Sequence, residues 1–137
     1  MVLTARLYIK GHEQESEGIP LLSCSYNFIQ DVDQRGLPKS EVKGGLITMA
    51  FNSMDDQEIM HWMISPKADK NGKITFSGEE NAKVFKTLEF KDARCISYNE
   101  SFVRDSAMIV EITISAREVT ISGVTHTNTW TKYDAGS

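Results

Sequence analysis

SAMIVEITISAREVTI, residues 106–121, alternates apolar side chains with small or polar ones over a long run. In one register Met108, Val110, Ile112 and Ile114 point one way, while Ile109, Glu111, Thr113 and Ser115 point the other. A repeat of two marks a β-strand, because successive side chains leave opposite faces of the pleat. The second face is the informative one. A mixture of Ile, Glu, Thr and Ser is neither a closed core nor an ordinary wet surface, and it points to a sheet with both sides in use. No catalytic constellation accompanies it, so the expected work of the chain is assembly.

Outward from this stretch, most segments read as strands. Leu3, Ala5, Leu7 and Ile9 alternate with Thr4, Arg6, Tyr8 and Lys10 and should end at Gly11. His12 to Pro20 is polar, with Gly18 and Pro20, and reads as a solvated loop. In LLSCSYNFIQ, residues 21–30, Leu22, Cys24, Tyr26 and Phe28 form an apolar face opposite Ser23, Ser25 and Asn27. Residues 31–41 are a long excursion carrying Gly36 and Pro38. A third strand runs from about Val42 to Asn52, with Ile47, Met49 and Phe51 inward, and Gly44-Gly45 suggests a bulge or a close backbone approach.

One helix follows. Ser53 can cap it, Asp55, Asp56 and Glu58 put negative charge in its first turn, and Pro66 stops it. Ile59, Met60, Trp62 and Met63 supply its apolar stripe. Asn71-Gly72 predicts a tight turn into a short strand over Lys73 to Ser77. After a polar turn at Gly78 to Asn81, a strand covers Val84 to Tyr98, with no single register throughout; Asp92-Ala93 marks a bulge where the parity changes. Ala107 to Ile121 and Val124 to Trp130 pair across Ser122-Gly123, and residues 134–137 form a loose tail. Seven or more strands and one short helix imply an all-β domain. A closed β-barrel is favoured over a sandwich because closure hides strand edges.

A chain of 137 residues holds one domain and a core large enough to need no metal or disulfide staple. Its formal charge of -4 and lack of a basic stripe argue against nucleic acid. Cys24 and Cys95 lie in strand-like runs without a CxxC partner and read as free buried thiols. The N-terminal MVLTARLYIK does not resemble a secretory signal, and no apolar run is long enough to span a membrane.

Candidate chemistry is thin. Asp31-Val-Asp33-Gln-Arg35-Gly36 resembles the start of a calcium loop, but Arg35 occupies an oxygen-ligand position and Glu41 falls too early for the bidentate ligand. His12, His61 and His126 have no zinc spacing. No metal or cofactor is expected. Trp130, in a strand poor in apolar anchors, has the stronger case as an interface anchor, whereas Trp62 reads as core.

Several segments together carry a resemblance. They are Leu7 to Gly11, Tyr26 through Gln30-Asp31-Val32-Asp33 with Gly36 and Pro38, Val42 to Gly45, Ser53 to Trp62, Lys86-Thr87-Leu88-Glu89-Phe90, Cys95 to Phe102, and Ile114-Ser115-Ala116-Arg117-Glu118. In order and spacing they are similar to the Bacteroidales form of the haemolysin-coregulated proteins (Hcp), the tube proteins of type VI secretion systems. The QDVDxxGxP turn, the KTLEF strand and the ISAREV strand end are the most specific parts, and the likeness spans nearly the whole chain.

The resemblance implies a β-barrel like that of phage tail-tube subunits. It implies no enzymatic activity, and hexameric rings stacked into a hollow tube with sheath, spike and effector proteins as partners. It implies residence in the bacterial cytoplasm before firing and delivery through the apparatus afterwards. Asp31, Asp33, Arg35, Gly36, Pro38 and Lys39 then belong to the loop that meets the neighbouring ring or subunit, and the strands from Val42 and Ala107 are walls of the ring. A water-filled lumen calls for small or polar side chains, for which Ser25, Thr48, Thr113 and Ser115 are candidates. Trp130 and Glu118 are candidate interface residues. The acidic loop His12 to Pro20 and the compact link Val103-Arg104-Asp105 depart from the family pattern. A monomeric barrel binding a ligand or peptide, with Trp130 and Tyr133 at its mouth, is the alternative, and a hydrolase using Glu111 and Glu118 is a more distant one.

Overall fold

The alternating stretch becomes β7, which is hydrogen-bonded along its whole length to an even longer neighbour. The computed structural model describes residues 3–12, 15–30, 32–38, 44–53, 58–65, 67–80 and 83–128. Within them the order is β1 (Leu3–Ile9), β2 (Ile19–Leu21), β3 (Ser23–Tyr26), β4 (Leu46–Asn52), α1 (Glu58–Ile64), β5 (Lys70–Gly78), β6 (Val84–Ser101), β7 (Ile109–Ile121) and β8 (Val124–Thr127). Every strand pairing is antiparallel, in the order β2-β1-β5-β6-β7-β4-β3, with β8 beside β7.

The two ends of that order are consecutive in the chain. Leu22 alone separates β2, which pairs with β1, from β3, which pairs with β4. Its amide donates to the Ala50 carbonyl at 2.7 Å. One bent segment therefore joins both ends of the sheet and curls it into the expected all-β barrel with a single short helix. Closure matters because an open sheet leaves a row of unsatisfied backbone groups.

The core is built from the inward residues of each strand. Leu7, Ile9, Ile47, Met49, Phe51, Ile74, Leu88, Phe90, Val110, Ile112 and Ile114 are all buried in one cluster. Helix α1 adds Ile59 and Trp62, and the Trp62 indole Nε1 donates to the Ala93 carbonyl at 3.1 Å. A seven-residue helix presents only one narrow face, so Met60 of the expected stripe stays 41% exposed. The helix ends at Ile64, ahead of Pro66 as anticipated; Pro66 itself and residues 54–57 lie outside the described residues. The Ser53 hydroxyl donates to the Glu100 carboxylate, tying the end of β4 to β6.

Some expectations give way to tertiary pairing. Asn71-Gly72 is not a turn but lies inside β5, with β1 on one side and β6 on the other. A Cβ at Gly72 would overlap the Tyr8 carbonyl oxygen and come within 2.7 Å of Phe90 Cζ. The glycine is thus required for close approach rather than for a turn, and the Asn71 side-chain oxygen accepts from the Asp92 amide at 2.9 Å. The polar segment before Pro20 is also shorter than read: Ile19–Leu21 is β2, with Ile19 buried, and His12 is 4% exposed. Pro20 is tolerated because, among the described residues, β2 pairs with β1 alone. Leu22 and Phe28 do not continue the apolar face of β3, being 56% and 40% exposed.

The irregularity expected at Asp92 is present. Its φ is +52°, the register with β5 shifts there, and burial passes from Leu88 and Phe90 to Ala93 and Cys95. A second shift, between Cys95 and Ser97, leaves Ile96 half exposed and returns Tyr98 to the core side. Ser122 and Gly123 both have positive φ, +51° and +83°, which makes the β7–β8 connection a tight hairpin turn with the twist that antiparallel strands favour.

Candidate assembly surface

The barrel wall formed by β3, β4, β7 and the second half of β6 carries the candidate residues. Cross-strand register sets them in rows, since directly paired residues share a face. Ser25 pairs with Thr48, Thr48 with Thr113, and Thr113 with Ser97, so four hydroxyl side chains line up across four strands. The Thr48 and Thr113 hydroxyl oxygens are 3.0 Å apart and share a hydrogen bond. The adjoining row is Ser23, Ala50, Glu111 and Asn99. On the other side come Leu46, Ser115 and Arg94. The four residues singled out as lumen candidates, Ser25, Thr48, Thr113 and Ser115, therefore occupy one face.

The reverse side of these strands is the core, through Met49, Ile112 and Ile114. Threonine suits such a wall because its branched Cβ favours extended backbone while its hydroxyl meets the strand alongside. Gly45, with φ +90°, starts the wall: its carbonyl accepts from the Ala116 amide at 2.8 Å, and a Cβ there would meet the Ala116 carbonyl oxygen. Sequence reading missed Ser97 and Asn99 as members, because the shift at Ile96 hides their parity.

Both lateral strands of this wall have a partner on one side only among the described residues. Strand β3 pairs with β4 alone. Strand β5 ends at Lys70 opposite Ala93, so residues 94–101 of β6 pair with β7 alone. Charge on the wall is sparse. The Arg94 Nε donates to Asp69 Oδ1 at 2.8 Å, whereas Glu111 is exposed.

The excursion after β3 is a compact projection. Asp33 organises it: its Oδ1 accepts from the Arg35 amide at 2.8 Å and the Leu37 amide at 3.0 Å, and its own amide donates to the Leu37 carbonyl. Gly36, φ +84°, closes the turn, and Val32 bridges Pro38. The Arg35 side chain is solvent-facing. Ile29, Val32 and Leu37 are each more than half exposed, an apolar display unusual for a solvated loop. Asp31 and Lys39 lie outside the described residues, as do Trp130, Tyr133 and residues 134–137.

Glu118 sits on the other half of β7, opposite Lys91 and Thr127, apart from the wall residues. Seven positions separate it from Glu111 along one strand, roughly 23 Å at the usual rise, too far for an acid–base pair. Among the described residues no group of three His, Cys, Asp or Glu side chains could hold a metal. Cys24 and Cys95 are free thiols, and burial pushes Cys24 up to about 11. Cys95 is raised by burial too, opposed by a hydrogen bond with the Ser97 backbone.

Comparison with known proteins bears on this wall. A family model described as hemolysin coregulated protein Hcp (TssD) matches residues 1–131. No curated protein matches in sequence. Among solved structures, Hcp1 from Flavobacterium johnsoniae superposes with a TM-score of 0.82 at 26% identity, covering 91% of this chain and 99% of its own. Hcp1 from Salmonella typhimurium gives 0.71 at 15% identity, covering 93% of each chain. A chain of the PVC extracellular contractile injection system, in a sheath-tube complex, gives 0.54 at 21% identity, covering 89% and 88%. The last two likenesses speak for the fold. The chain belongs to the haemolysin-coregulated protein (Hcp, TssD) family, the tube subunits of type VI secretion systems.

Proposed function

We propose that six copies close into a ring in which the β3-β4-β7-β6 wall faces the bore and successive rings stack into the tube. The observation that carries this reading is the wall itself: core on one side, hydroxyl rows on the other, and a strand at each lateral edge with one partner. An edge strand is a template for another chain. In a cyclic assembly β3 of one copy meets residues 94–101 of β6 in the next, so the sheet continues around the axis and each contact is heterologous and closed. Small hydroxyl side chains then line a wet channel along which passengers slide.

The projection at Val32 to Pro38 docks against the adjoining ring, where its exposed Ile29, Val32 and Leu37 find cover. The subunit performs no chemistry; it supplies stiffness, bore and docking surface, while sheath contraction supplies the work. Sheath, spike and effector proteins are its partners, and it waits in the bacterial cytoplasm until the apparatus delivers it. Light scattering on the chromatographed protein tests the ring: a species near six times 15.4 kDa with a central hole in negative stain is expected. A 15.4 kDa species would instead favour a monomeric binding barrel.

A further inference from the structure

We infer that Glu111 gives the bore a charge preference, so that the passengers it retains are proteins presenting lysine and arginine side chains. This rests on the ring reading above and adds to it a chemical class of cargo. Across the rows of the wall, twelve of the described side chains are uncharged, mostly Ser, Thr and Asn, and two are charged. One is Arg94, whose guanidinium is held by Asp69 at 2.8 Å. The other is Glu111, exposed and flanked in its row by Ala50 and Asn99, neither of which carries a counter-charge.

Six-fold repetition places one such carboxylate per copy at a single level of the channel, and among the described residues its row holds no cation. A concave surface lined by one sign of charge focuses the field and enriches counter-charged groups by roughly 10- to 1,000-fold. Hydroxyl neighbours donate and accept equally well, so they hold a passenger without choosing its sign. The discrimination falls to Glu111. The chain's formal charge of -4 acts in the same direction from farther away and is screened by salt over about 10 Å.

The test compares wild-type protein with Glu111→Gln and Glu89→Gln. Glu89 is exposed on β6 opposite Lys73 of β5, off the wall, so its replacement changes the net charge equally without touching the bore. Each protein is first sized by light scattering, then titrated with two nonapeptides carrying an uncharged dye, one Lys/Ser/Gly and one Glu/Ser/Gly, and read by anisotropy at low and high salt. At low salt the wild-type ring and Glu89→Gln should bind the lysine peptide at least about tenfold more tightly than the glutamate peptide. High salt should erase the difference, and Glu111→Gln should remove most of it at low salt. Equal binding of both peptides by the wild-type ring, or a preference undiminished in Glu111→Gln, overturns the inference while leaving the ring reading intact. So does a loss as large in Glu89→Gln. A Glu111→Gln protein that no longer assembles would make the residue a subunit contact and also overturn it. A wild-type protein without a ring removes both readings.

Discussion

Replacing Gly72 by alanine separates a glycine kept for packing from one kept for a turn. The new methyl carbon would overlap the Tyr8 carbonyl oxygen and lie 2.7 Å from Phe90 Cζ. Neither neighbour yields easily. The Tyr8 carbonyl belongs to the β1–β5 ladder, and Phe90 is buried at 1% exposure in the core. Overpacking of this kind costs about 1–3 kcal/mol, and with backbone on one side and core on the other the upper end, ~3 kcal/mol, is expected. Gly123 is the control. It has φ +83° with open space where a Cβ would go, so Gly123→Ala meets only the left-handed backbone penalty of about 1–2 kcal/mol. An unfolding entropy of about 2.1 cal/mol/K per residue converts each kcal/mol into roughly 3.5 °C for a chain of 137 residues. Thermal melts at matched concentration should therefore lower Tm by about 10 °C for Gly72→Ala and about 5 °C for Gly123→Ala. If Gly72→Ala costs no more than Gly123→Ala, the close-approach argument is wrong.

Two further outcomes follow from the thiols and the projecting turn. Burial raises Cys24 to about 11 in the folded protein against the ordinary 9.0 of an exposed thiol, so folding favours the protonated thiol. Its contribution to stability is complete below pH 9 and is lost as pH rises toward 11; denaturant titrations across that window should show a decline that Cys24→Ala reduces, and identical slopes would refute it. Asp33→Ala removes the acceptor that holds the Arg35 and Leu37 amides. It should leave the barrel's melting temperature nearly unchanged while speeding tryptic cleavage after Arg35 several-fold and weakening ring stacking, measured by gel and by sedimentation.

The period of two placed both faces of β7 correctly over residues 109–115, since Val110, Ile112 and Ile114 are buried and Thr113 and Ser115 share the wall. Met108, in contrast, is 42% exposed, and burial changes parity between Ala116 and Val119. Such a reading works where one strand is regular and flanked on both sides. It fails where backbone geometry is set by distant partners. Asn71-Gly72 has strong local turn chemistry, yet two ladders hold it extended. Ile19 and Pro20 looked like loop because a strand of three residues is too short to show alternation, and only pairing with β1 makes Ile19–Leu21 a strand. The wall is legible through Ser25, Thr48 and Thr113, but its fourth member Ser97 depends on the shift at Ile96, which no periodicity announces. The order that joins β2 and β3 at opposite ends of the sheet is invisible locally. It is a property of the whole chain.

The one-partner strands at either side of the wall also shape how assembly proceeds. An open arc of subunits always has one fewer contact than it has members, and it keeps a raw end at each extremity. Only the completed circle has as many contacts as members and no ends at all. Partial arcs therefore have fewer contacts per member than the finished circle while still losing the freedom of lone subunits, so dimers through pentamers should be scarce on dilution. One bound capping strand that mimics β3 should then be enough to block a whole circle, so inhibition should need far fewer strands than subunits.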